Sequence, residues 1–105
     1  MAMPKSFQIM SEETPTIYKG FFDLIDAVKK DSGLDDKTFE LVYLAIKAAS
    51  GQDGIPSVIT HAARAKAAGA TREEVRGAVL VSLVTNGLQG VSSCLVTALE
   101  TYDNA

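Results

Sequence analysis

The sequence predicts an all-α protein, and three observations predict it. Apolar residues recur three and four apart along most of the chain, the spacing of one helix face. Helix start and stop signals punctuate those runs, with Pro15, Pro56 and Thr71 as starts and Gly33, Gly69 and Gly87 as stops. No alternating strand pattern of convincing length occurs.

Residues Met1–Glu13 show no helical period and are expected to form an extended arm, frayed or laid across a neighbouring subunit. The remainder, 14–105, reads as a single domain of about five helices. Thr14-Pro15 opens the first, because proline at the first helical position loses no hydrogen bond. Tyr18, Phe21, Phe22, Ile25 and Val28 form its apolar face, and Ser32-Gly33 stops it. Asp35 and Asp36 supply a cap and negative charge for the second, Lys37–Ala49. This helix is apolar on nearly every side and is expected to be central, covered by several others.

Gly51–Gly54 reads as loop. Pro56 starts the third helix, which ends at Gly69 and carries an apolar stripe of Val58, Ala62 and Ala65. Thr71 and Glu74 match a capping box for the fourth, Arg72–Thr85, again nearly all apolar beyond Val75. Asn86-Gly87 breaks it. In the last helix Val91, Cys94, Leu95, Ala98, Leu99 and Tyr102 hold helical spacing. The second and fourth of these helices are expected at the centre, with the third and fifth against them.

Composition narrows the function. The chain has 105 residues, 47% apolar and 22% charged, a normal balance for one folded domain. Its formal net charge is −3 and no basic cluster occurs, which argues against nucleic acid as a partner. The first ten residues carry one lysine and no long apolar core, unlike a secretory signal. The longest strongly apolar run, Ala78–Val84, is far shorter than the ~20 residues of a membrane span. No membrane partner and a cytoplasmic location are the resulting expectations. One cysteine, Cys94, excludes an internal disulfide. One histidine with scattered carboxylates makes no metal-ligand cluster, and no cofactor is called for.

The run from Glu40 to Leu80 carries a resemblance. Glu40 precedes an apolar Leu/Ala helix, a short loop and a helix bearing His61 follow, and then come Ala68-Gly69-Ala70-Thr71 and Glu73-Glu74 before another apolar helix. This order resembles the carboxymuconolactone decarboxylase and alkyl hydroperoxidase D (AhpD)-like family. The resemblance implies an AhpD-like helical bundle and an obligate homo-oligomer, a trimer or hexamer. Two nearly all-apolar helices in so small a chain also favour self-association. The family's peroxidase branch, which is peroxiredoxin-related, carries Cys-x-x-Cys-x-x-x-His. Here Gly54 and Ser57 stand at those cysteine positions, so a dithiol cycle cannot run there. The decarboxylase branch also lacks the cysteines.

Each candidate residue has a chemical reading and a plainer one. His61 lies at the border of core and solvent on its helix, which suits a general acid or base; it could equally be a hydrogen-bonded interface imidazole. Glu40 would orient the His61 ring if the second and third helices pack antiparallel; otherwise it is a solvated first-turn glutamate. Ser57, one turn before His61, could form a dyad with it or contact substrate, although serine after a helix-starting proline usually bonds locally. Arg64, one turn after His61, could hold a substrate carboxylate or simply be solvated. Cys94 on an apolar stripe reads as an inert core residue, against a peroxidatic role that would need exposure. Three function classes follow: acid/base, lyase-type chemistry at His61 on a small carboxylated or lactone substrate; a thiol-dependent peroxide role; and a non-catalytic oligomeric ligand-binding protein.

Overall fold

A computed structural model describes residues 4–105. Among the described residues six α-helices run in the order α1 (Lys5–Glu13), α2 (Pro15–Asp31), α3 (Asp36–Ala49), α4 (Ile55–Ala67), α5 (Arg72–Asn86) and α6 (Leu88–Asn104), with a 3-10 turn over Gly51–Gly54. No strand occurs among the described residues. No helix among them is long and apolar enough to cross a membrane. The chain divides into two compact units between Leu34 and Asp35.

The first unit is the α1–α2 hairpin. Lys5–Glu13 is helical, where the sequence predicts an extended arm. The cause is side-chain packing that no local period reveals. Phe7 sits 5.6 Å from Phe22 edge-on and 6.2 Å from Phe21, and Tyr18 adds to the same cluster 4.8 Å from Phe22. Such aromatic pairs stabilise a short helix that its own propensity would not. The remainder of the predicted arm, Met1–Met3, lies outside the described residues. No residue of either helix is buried, and Ile17 and Leu24 are about as exposed as surface residues at 62% and 60%.

The second unit packs α3 on α4 and α5, α4 on α6, and α5 on α6. Its core is built of small side chains: apart from Leu44, none is larger than valine, and Ala48, Ala62, Ala65 and Ala98 lie within it. Small residues let the helix axes approach closely, so backbone and Cβ atoms supply most of the contact. Predicted caps form as the sequence implies. Asp35 accepts a hydrogen bond from the Thr38 amide at 2.7 Å, and Thr71 and Glu74 exchange both bonds of the capping box at 3.1 and 2.9 Å. At the far end, Lys66 Nζ donates to the Tyr102 carbonyl and Tyr102 Oη donates to that of Ala70, each at 2.8 Å. These bonds tie the end of α6 to the α4–α5 connection.

One expectation is corrected. The all-round apolar pattern of α3 and α5 predicts two buried helices at the centre, with α3 covered by several others. Instead α3 buries one stripe, Glu40, Leu44 and Ala48, and leaves Ile46 63% exposed. Helix α5 buries Val75, Val79 and Ser82 and leaves Val84 88% exposed. Four helices in one small unit offer each other only one or two faces, so the remaining apolar surface stays outside.

Candidate functional site

Gly54 decides how α4 returns along α3. A Cβ on Gly54 would lie 1.8 Å from the Lys47 carbonyl oxygen, so only glycine allows the two backbones to touch there. The 3-10 turn before it folds the chain back, and the helices run antiparallel from that contact. Seven residues back along α3 stands Glu40, and seven residues on along α4 stands His61. Seven residues are about two helical turns, so both side chains return to the shared interface at the same level.

There they meet. Nδ1 of His61 donates to Oε2 of Glu40 at 2.5 Å, with the residues only 7% and 3% exposed. With the carboxylate ionised, a bridge at this atom requires the proton on Nδ1, which leaves Nε2 as the basic nitrogen of the neutral ring. The glutamate is thus a buried partner of the histidine and not a solvated first-turn residue.

Tyr43, one turn beyond Glu40 on α3, stacks on the same imidazole with centroids 3.7 Å apart and planes 19° from parallel. Nothing in the sequence reading singled out Tyr43. Its spacing of three from Glu40 was the available signal, since residues three apart share a helix face. Phe39 lies 6.2 Å from the Tyr43 ring on one side, and the Lys47 ammonium 6.0 Å on the other.

The other candidates stand apart from this cluster in exposure. Ser57 is half-buried one turn before His61, and Arg64 is exposed one turn after it. Cys94 is fully buried in α6, where its thiol donates to the Gly51 carbonyl at 3.3 Å, and burial raises its pKa. A buried thiol held in its protonated form is a poor nucleophile. No group of three or more histidine, cysteine, aspartate or glutamate side chains with metal-holding geometry occurs among the described residues.

Beyond the geometry, the model of the carboxymuconolactone decarboxylase family matches residues 15–98, spanning α2 to most of α6. The chain belongs to the carboxymuconolactone decarboxylase family. No curated protein and no solved structure matches it. The family match covers Glu40, Tyr43 and His61 together, as well as the Gly54 contact that sets their register. As a carboxymuconolactone decarboxylase family member, this chain has a buried carboxylate–imidazole pair on α3 and α4. Cys94 is its single cysteine, so no disulfide-forming pair precedes His61.

Proposed function

We propose that this protein performs acid/base, decarboxylase-type chemistry on a small carboxylated or lactone substrate, with His61 as the proton-transferring group and Glu40 as its partner. The buried Glu40–His61 hydrogen bond carries this reading. Loss of carbon dioxide from an acid leaves the bonding electron pair on carbon, and a protonated imidazole can deliver a proton to it. A carboxylate on Nδ1 holds the ring's tautomer and stabilises its charged form, so that Nε2 handles the proton. Ser57 and Arg64 are the proposed substrate contacts, flanking His61 by one turn on either side of α4.

The protein is proposed to act as a homo-oligomer in the cytoplasm, a trimer or hexamer. Support comes from the second unit's uncovered apolar surface: Val84, Leu88 and Val96 are 88%, 69% and 64% exposed, and no charged residue lies between Arg76 and Glu100. Large apolar side chains left this exposed favour an interaction face.

The test is proton NMR of carboxymuconolactone and related lactone acids incubated with wild-type protein and with His61→Ala. Turnover by wild type that vanishes in the variant supports the reading. Equal turnover by both removes His61 from it, and no turnover by either removes the decarboxylase assignment.

A further inference from the structure

We propose that Tyr43 is the positioning residue of the Glu40–His61 pair, clamping one face of the imidazole so that Nε2 is aimed in a fixed direction. The inference rests on His61 being the proton-transferring group.

The imidazole turns about its Cβ–Cγ bond, and a single hydrogen bond at Nδ1 still tolerates a swing of about 30°. A stacked neighbour fixes the plane. Glu40 holds the point at 2.5 Å, and the Tyr43 ring lies parallel to the imidazole within 19° at 3.7 Å. Both constraints come from one rigid element, because residues three apart on α3 share a face. Tyr43 is itself hemmed in along that helix by Phe39 four residues before it and Lys47 four residues after. Neighbours on both sides along the helix restrict the rotamers its ring can adopt, and with them its freedom to follow the imidazole. Proton transfer needs the donor nitrogen within hydrogen-bond reach of the reacting atom, so orientation of this ring bears directly on rate. The π face of tyrosine also favours the imidazolium that forms during each transfer.

His61 is the only histidine, so its ring protons identify themselves in a one-dimensional spectrum. In wild-type protein they are expected upfield of free histidine through the tyrosine ring current, with cross-relaxation to the Tyr43 ring. Tyr43→Phe keeps the ring and is expected to keep both signatures. Tyr43→Leu is expected to abolish them, to weaken cross-relaxation between the imidazole and Glu40, and to alter the rate at which diethyl pyrocarbonate modifies His61 by about threefold or more. In turnover, Tyr43→Leu should lower kcat about tenfold to a hundredfold with little change in KM, while Tyr43→Phe stays near wild type.

Unshifted ring protons in the wild type overturn the proposal without any variant. So does a Tyr43→Leu protein whose imidazole keeps its Glu40 contacts and its modification rate. Should no lactone acid be turned over, these ring and modification readouts still decide the clamp, separately from the reaction.

Discussion

Glu40 and His61, 21 residues apart in sequence, are joined by a 2.5 Å hydrogen bond inside the α3–α4 interface. Taking one partner away from a buried pair is costly because the other is left desolvated. Glu40→Ala should lose about 3 kcal/mol of stability, whereas Glu40→Gln, which keeps an acceptor and the shape, should lose clearly less. Urea denaturation of the two variants side by side decides this; equal stability would show the carboxylate to be solvated. Both variants should be slowed in turnover, since neither stabilises a charged imidazole.

Gly54 sets the register of that pair through its contact with the Lys47 carbonyl. Gly54→Ala forces the ends of α3 and α4 apart and is expected to cost about 1–3 kcal/mol, the range for overpacking. It should also disturb the His61 ring signals, although the substitution lies two turns away. A Gly54→Ala protein with wild-type stability and an unchanged histidine spectrum would refute this role.

Acid should loosen the second unit at its helix starts. Hydrogen bonds from the Thr38 and Thr71 backbone amide groups hold the Asp35 and Glu74 carboxyls below their ordinary pKa values of 3.8 and 4.5, with Lys37 assisting. The Arg72 guanidinium, 2.9 Å away, does the same for Asp103. A group with a lowered folded-state pKa contributes its full stability above the ordinary value. That contribution is lost as pH falls through the lower, folded value. Melting temperature should therefore hold steady from neutral pH to about 5 and drop below about 4.5. The double variant Asp35→Asn, Glu74→Gln should show a shallower drop; an identical slope would assign acid loss to other groups.

Cys94 is expected to resist thiol reagents in the native protein and to react fully once the chain is unfolded. Burial accounts for both its inaccessibility and its raised pKa. Rapid native labelling would reopen a thiol-based role. Cys94→Ala should leave lactone turnover intact, because the thiol lies on α6 and its bonds go to backbone carbonyls of Ala48 and Gly51.

The exposed apolar side of α5 and α6 should be covered in solution by further copies of the chain. Val84→Glu places a charge at the most exposed of these side chains and should shift the protein to smaller species in sedimentation velocity. A wild-type protein that sediments as a stable monomer at micromolar concentration would count against the oligomer.

Much of this fold was legible because helix boundaries are local chemistry. Pro15 at a helix start, Asp35 as a cap and the Thr71–Glu74 box each act within four residues, and each stands where the sequence implies. The helix over Lys5–Glu13 was not legible, since it depends on Phe7 meeting Phe21 and Phe22 from another element. Nor was the exposure of Ile46 and Val84, because a pattern that is apolar all round does not say which neighbour covers which side.

By itself the sequence determined the all-helical class, the caps and stops, the absence of a cysteine pair before His61 and the likeness to the family that the chain proves to belong to. These are properties of residue types and short spacings. The tertiary structure alone decided that Glu40 is buried and bonded, and not solvated, and that Tyr43 faces His61. Both outcomes depend on where α3 and α4 cross, and that crossing is set by a backbone contact between Lys47 and Gly54. No periodicity in the chain encodes such a contact.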